Sequence, residues 1–393
     1  MKLHAKLTAL ALALLLAIAV LGCTRPAAPT ENTAPTAPAQ SEASAGSDQP
    51  AELTKVRIGV LPYFDYTLFV AAKELGLDKE MGLDFELVSF TLEGQAAQAL
   101  LNGSIDIAQG ALGSFVPLMP EAQDLRVFMT NNQYTGFLFV GRKGEYKSFD
   151  TFYAELGEFA AAQKATLEQF SGATFCMVES SFASMLNSTM ELIGLTYEDT
   201  TVMNFSNDAQ AAMAFMTGEG DFYTGSTTQI TKLLQEPDKY EIVAGAEVLG
   251  AAGLWYSNSA TSVSYLNDHK DILLKVMAVH YKAAELLAND PDTVIPSMIK
   301  YLRENASSDM TMESAKEALS YSVDFYSLTR AKETVFNPEN EIYWRPAGEK
   351  YLNDGIALGN IPEGSVDLDT MVVQDELFQE FLANAELVAY VNP

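Results

Sequence analysis

Tyr63, Phe64, Asp65 and Tyr66 stand together in one short stretch between an apolar run and a helical pattern. Three rings this close do not form a one-faced stripe of a helix or strand, so they read as a loop cluster. Aromatic faces hold flat rings by stacking worth about 0.5–1.5 kcal/mol each beyond burial. Asp65 has two open readings: acceptor for a ring amine or cation, or N-cap of the helix that follows. Further polar and aromatic loops carry Leu112, Ser114, Tyr134, Thr135, Ser180, Ser181, Tyr223, Ser226 and Trp255. Hydroxyl groups there can face a ligand or cap helices. None of these loops contains Lys or Arg, which lowers the case for a small anion, since anions favour concentrated cationic donors. Helix N-termini alone can still bind anions. The chemistry is capture rather than catalysis. No Gly-x-Ser-x-Gly elbow, P-loop, Gly-x-Gly-x-x-Gly or His-Glu-x-x-His is present. His269 and His280 read as surface or packing residues on one helix, and Cys176 as a buried, inert thiol in an apolar strand. No cofactor and no metal are expected.

The elements that must position these loops alternate. Residues 55–60 and 83–88 have strand patterns, 67–77 and 94–101 helical ones, and 105–107 reads as a short strand. After Gly172 the order recurs: strand 174–178, helix 182–193, strand 202–205, helix 209–216, strand 220–223. Such repetition implies parallel strands with right-handed crossovers. Residues 96–114 and 211–229 echo one another at an offset of 115, with six identical positions: Ala96/Ala211, Ala97/Ala212, Ala99/Ala214, Gly103/Gly218, Asp106/Asp221 and Gly110/Gly225. Two similar α/β lobes are the simplest reading, and recurrence of Asp106 and Asp221 favours a structural task over ligand contact. In open sheets, ligands sit outside the carboxyl ends of strands, which selects the loops named above.

The chain has 393 residues with 52 acidic and 24 basic, a formal charge of −28. That excludes nucleic acid as a partner, because phosphate backbones demand clustered Lys and Arg. With 48% hydrophobic residues, the bulk of the chain is not disordered. Lys2 and Lys6 precede an apolar run from Leu7 to Leu21, a secretory signal over residues 1–22. Its end, Val20-Leu21-Gly22-Cys23, resembles the lipobox of bacterial lipoproteins, which implies a lipid on the Cys23 thiol. Residues 23–53, rich in Pro, Ala, Ser and Thr, form a flexible tether.

Three segments carry a wider likeness: Val56 to Val60 with Ala71 to Leu77 and Gly82 to Val88; Leu100 to Ala108; and Gly348 to Leu368. In these, over most of residues 55–370, the chain resembles substrate-binding proteins of ABC importers. The nearest branch is the one for nitrate, sulfonates, taurine and thiamine pyrimidine precursors. The resemblance implies a type II periplasmic-binding-protein fold of class α/β, with two mostly parallel sheets flanked by helices, two hinge crossings and a ligand cleft. The expected divisions are 54–140 for the first part of lobe 1, 141–250 for lobe 2, and 251–393 for a helical return to lobe 1. The crossings are expected near 137–142 and 248–256. An insert at 146–170, read as one amphipathic helix, departs from the family.

The implied protein is an extracytoplasmic, lipid-anchored monomer. It takes a small molecule to an ABC permease and its ATPase, and touches the membrane through the lipid on Cys23. The loops suit a neutral or weakly cationic aromatic heterocycle such as a pyrimidine. Alternatives are a small anion (nitrate, sulfonate, taurine, bicarbonate), a pyrimidine-precursor synthase-like enzyme, or a surface lipoprotein without a transport role. The synthase branch carries a Cys-rich motif and a reactive His that this chain lacks, so it is read as no enzyme.

Overall fold

The computed structural model describes residues 52–392. The signal, Cys23 and nearly all of the tether lie outside the described residues. Among the described residues, eleven strands form two sheets: β1 (Thr54–Val60), β2 (Leu83–Ser89), β3 (Ile107–Ala111), β4 (Leu125–Tyr134), β5 (Phe139–Arg142), β6 (Thr174–Met177), β7 (Thr201–Asn204), β8 (Phe222–Tyr223), β9 (Tyr240–Ala244), β10 (Trp255–Ser262) and β11 (Val323–Phe325).

The first sheet has the order β11-β4-β10-β3-β1-β2 and the second β7-β6-β8-β5-β9. β1 pairs in parallel with β2 and β3, and β6 with β7 and β8. The next strand inward is antiparallel in both cases: β10 in the first sheet and β5 in the second. Each of these two strands has just arrived from the other sheet, so it enters with reversed direction. The remaining strands, β4 and β9, pair antiparallel with it and resume the common direction. The two crossings are residues 135–138 and 245–254, the first slightly earlier than the sequence pattern implied.

The echo at offset 115 has a physical cause. The helices Glu93–Leu101 and Asp208–Met216 coincide under it, as do the starts of β3 and β8 and of β4 and β9. The Asp106 carboxylate accepts from the Arg57 backbone N–H at 2.8 Å, and the Asp106 N–H donates to the Arg57 carbonyl. Asp221 does the same to Thr174, also at 2.8 Å. Each aspartate ties the strand that starts a lobe to the strand entering beside it.

The C-terminal part departs from expectation in one respect. Its long helices, Lys270–Asn289 and Pro291–Ala306, pack on the Leu68–Glu74 helix of lobe 1, but the chain also adds β11 to the edge of the first sheet. Three residues are too few for a period to register. The 146–170 insert is two helices, Phe149–Leu156 and Phe159–Glu168, instead of one. Gly157 takes a left-handed conformation (φ +71°) that ends the first. His280 is buried, its Nε2 2.9 Å from the Asn131 carbonyl and its ring against Phe69, and burial pushes its pKa down to about 4. Cys176 is a buried free thiol pushed up to about 11.

Replacing Asp106 or Asp221 with Ala removes a strand-to-strand acceptor in one lobe. Each change is expected to cost about 1–3 kcal/mol. The check is a lower urea midpoint at unchanged denaturant slope.

Candidate functional site

The carboxyl ends of the strands from both sheets face one cleft. Lobe 1 contributes the turn after β1, the Glu93 helix start, the end of β4 and the start of β10. Lobe 2 contributes the starts of the helices Glu179–Glu191 and Thr227–Leu234. The turn Phe64–Tyr66 is a single 3-10 turn because Thr67 Oγ1 donates to the Phe64 carbonyl and the chain then enters the Leu68–Glu74 helix. That turn delivers Tyr63, Asp65 and Tyr66 to a narrow slot also lined by Glu93, Tyr134, Phe137, Ser181, Phe182, Ser226, Thr227 and Trp255. Its volume is about 40 Å³. That is well below the roughly 150 Å³ of an engineered cavity that holds benzene. A larger chamber of about 590 Å³ shares Glu93, Ser181 and Trp255 with the slot, and adds Ser114 and Ser180 to its wall.

The slot is acidic. The Asp65 carboxylate accepts from the Ser257 hydroxyl at 2.6 Å, and the Asp65 carbonyl from Asn132 Nδ2 at 2.6 Å. Thr67 holds the N-cap position of the Leu68–Glu74 helix and Asp65 lies inside the preceding turn, so the cap reading of Asp65 does not hold. Burial pushes Asp65 up to about 7, with Ser257 opposing and Glu93 adding. Glu93 accepts from Tyr66 Oη at 3.3 Å and from Ser181 Oγ of the other lobe at 3.2 Å, and burial raises its pKa. Asp208 lies just behind the slot. It accepts from Tyr223 Oη at 2.6 Å and Ser226 Oγ at 2.5 Å, and burial raises it too. Tyr134 Oη meets Thr227 Oγ1 at 2.8 Å, a second contact across the cleft.

Glu93 and Asp208 are equivalent under the 115-residue offset: each is the first residue of its helix. The repeated glycines stand against them. A Cβ on Gly110 would lie 3.2 Å from Glu93 Cβ and 2.6 Å from the Phe115 ring; one on Gly225 would lie 2.1 Å from Asp208 Oδ1 and Tyr223 Oη. A side chain at Gly225 would displace Asp208 or its partner Tyr223, and one at Gly110 would press on Phe115 and the Glu93 stem.

Of the expected ligand residues, Tyr63, Asp65, Tyr66, Tyr134, Ser181, Ser226 and Trp255 line the slot, and Ser114 and Ser180 line the chamber. Four stand elsewhere. Phe64 turns inward and meets Phe325 edge to face in the core. Leu112 is fully buried on the short helix after β3, against the Gly348 position. Tyr223 is fully buried, its hydroxyl used by Asp208. Thr135 borders a separate cavity with Gly136 and Ser148. Sequence reading missed Glu93, Asp208, Phe137 and Phe182. The acids were detectable as a like-for-like pair at the repeat offset, outside the segment of identities; the phenylalanines carry no signal separable from core.

Raised carboxyls favour the folded state at low pH. Asp65's contribution is complete below its unfolded value near 4 and is lost as pH rises through about 7. Asp65→Asn keeps an acceptor for Ser257 and no longer ionises. The variant is expected to gain about 2–4 kcal/mol on the wild type between pH 4 and pH 8, read as the difference between their urea-unfolding free energies at each pH.

Residues 49–218 match the NMT1-like family. No curated protein matches the sequence. Among solved structures, the alkanesulfonate-binding protein SsuA from Xanthomonas axonopodis pv. citri, bound to MOPS, superposes with a TM-score of 0.59 at 19% identity, over 82% of this chain and 99% of that one. The periplasmic aliphatic sulphonate binding protein SsuA from Escherichia coli gives 0.60 at 15%, over 81% and 91%. The periplasmic nitrate-binding protein NrtA from Synechocystis PCC 6803 gives 0.59 at 13%, over 87% and 91%. Two lobes with paired 2-1-3 parallel strands, crossed by one reversed strand each, are thus the periplasmic-binding-protein fold, within which residues 49–218 match the NMT1-like family model.

Proposed function

We propose that this chain is an extracytoplasmic solute-binding protein that captures a small aromatic heterocycle bearing an amine or weak positive charge and delivers it to an ABC importer. The observation that carries the ligand class is the composition of the cleft. Asp65 and Glu93 are buried in the slot wall with Asp208 behind them, the rings of Tyr63, Tyr66 and Trp255 stand beside them, and no Lys or Arg lines either compartment. A ring amine donates to acids that burial has left short of solvent, and its π-face stacks on the aromatic walls. An aminopyrimidine has this pattern. A sulfonate or nitrate there would face carboxylates instead of cations.

Capture requires contacts to both lobes, because only a ligand that binds the closed form better shifts the protein toward it. Glu93 and Ser181 supply such a pair from opposite lobes. Delivery implies a permease and its ATPase as partners. Residues 1–22 as a signal, the lipid on Cys23 and a monomeric tethered state complete this reading. Mass spectrometry of the mature N-terminus from bacterial membranes checks the lipid.

The binding test is calorimetry on protein unfolded and refolded to strip any carried ligand, against 4-aminopyrimidine and, separately, nitrate and an alkanesulfonate. The expected result is binding of the aminopyrimidine alone, with Tyr66→Ala or Tyr63→Ala weakening it about 2- to 10-fold. Where the bound ring is protonated against Asp65, the pair holds one proton, so affinity for the aminopyrimidine is expected to fall as pH rises from about 7 to 8, because ionised Asp65 and a neutral ring must then take up that proton on binding. Binding of the anions alone overturns the ligand class and leaves the transport role.

A further inference from the structure

At about 40 Å³ the slot is too small for a six-membered ring, so a ring enters only where part of the wall moves. The lobe 1 wall is held in place. Asp65 is bonded by Ser257 and Asn132, and Tyr66 by Glu93. Trp255 packs edge-on against Phe137 at 5.6 Å and Tyr351 at 5.5 Å. Tyr134 Oη donates to the Gly136 carbonyl at 2.9 Å. Lobe 2 gives the slot Ser181, Phe182, Ser226 and Thr227. Three of these are small and carry hydroxyls. Phe182 is the one large side chain among them.

Phe182 has no polar atom with which its side chain could be tied. Its ring meets Phe137 edge to face at 5.7 Å. It stands in the first turn of the helix Glu179–Glu191, beside Ser181, which bonds Glu93 across the cleft at 3.2 Å. A hydroxyl bond and a ring edge thus hold this helix start over the slot. Ser180, Ser181, Ala183 and Ser184 of the same turn and the next line the chamber of about 590 Å³. A ring leaving the slot at this position has that space beside it, so it can move without repacking the core.

We infer that Phe182 is the specificity-determining residue of the slot: its ring stands where a ligand ring goes, and a ligand binds by displacing it toward the chamber. The exchange is ring for ring. The space that Phe182 gives up is that of one six-membered ring, so the site takes a monocyclic ligand. Any ligand has to offset the packing that Phe182 loses. A bare ring only replaces it, whereas an amine adds bonds to the carboxyls of Asp65 and Glu93. This rests on the aromatic reading of the cleft, but not on the charge assigned to the ligand.

The test is calorimetry of 4-aminopyrimidine and of benzene on the intact protein and on Phe182→Ala, Phe182→Leu and Phe182→Trp. Phe182→Ala leaves the space of the ring open. It is expected to bind 4-aminopyrimidine about 10-fold more tightly than the wild type does. It is also expected to bind benzene, which the wild type does not. Phe182→Leu is expected to fall between the two, and it stands in where Phe182→Ala does not fold. Phe182→Trp fills the space and is expected to weaken 4-aminopyrimidine about 10-fold or more. Weaker binding to Phe182→Ala and Phe182→Leu overturns the inference, because the ring is then a stacking wall and not an occupant. Unchanged affinity across the series overturns it too, and leaves the aminopyrimidine reading intact. Benzene on Phe182→Ala with no form binding 4-aminopyrimidine keeps Phe182 in this role and overturns the amine class. If neither probe binds any form, both fall together.

Discussion

Three carboxyl groups taken out of water set the terms for the rest of the cleft. A buried carboxylate is costly unless it is bonded or neutralised, and here the partners are hydroxyls: Ser257 for Asp65, Tyr66 and Ser181 for Glu93, Tyr223 and Ser226 for Asp208. Hydroxyls bond an acid without cancelling its charge. Burial raises the pKa values of all three, and the hydroxyl bonds oppose that rise without cancelling it. An arginine at any of these places would have fixed the charge and closed the site to a cationic ligand. The cleft instead keeps negative potential in reserve, and a ligand that brings positive charge offsets a cost already present in the fold.

The support for Asp65 lies in the sheet beneath it. β4 and β10 run side by side through the core, yet Thr130, Asn131, Asn132, Ser257, Asn258 and Ser259 are all buried there. They bond one another and Gln374: Thr130 Oγ1 donates to Gln374 Oε1 at 2.8 Å, Asn258 Nδ2 to Thr130 Oγ1 at 3.0 Å, and Ser259 Oγ to Asn131 Oδ1 at 3.0 Å. Two register shifts in the same pair, at Ser257/Asn258 and Ser259/Ala260, aim these groups. An apolar seam would pack as well but would leave the Asp65 turn without Asn132 and Ser257. Polar groups in a core are tolerated where they bond specifically, and here they extend the order of the sheet to the turn that carries the slot-lining rings Tyr63 and Tyr66.

Much of this architecture was legible in the sequence because period and punctuation agree. β1, β2, β6 and β7 fall within a residue or two of their patterns, and Gly103 and Gly218 end their helices where expected. The Asp106 and Asp221 recurrence was read as structural, and their paired backbone bonds supply the reason. The ring cluster was legible as a cluster but not in direction: Phe64 and Tyr66 differ by two residues, and a 3-10 turn sends one to the core and the other to the slot. Glu93 and Asp208 escaped because an acid at a helix start already has an explanation in the helix dipole. Only the fold shows that both are buried, Glu93 in the slot wall and Asp208 behind it, bonded to Ser226.

The cleft is also bounded by a helix that no strand pattern announces. Trp344–Ala357 lies against the short helix after β3 in lobe 1 and against the Glu179–Glu191 helix of lobe 2. On the lobe 2 side Asp354 accepts from Ser184 and Ser188, each at 3.2 Å, while Lys350 pairs with Glu191 at 3.0 Å and with Asp354 at 3.1 Å. Near the crossing, Tyr351 Oη donates to the Leu254 carbonyl at 2.8 Å. These are polar contacts, several of them part-exposed, and such contacts contribute little each. Beside them Phe137, at the first crossing, packs edge to face on Phe182 of lobe 2 at 5.7 Å and on Trp255 of lobe 1 at 5.6 Å, so the seam is part polar and part aromatic.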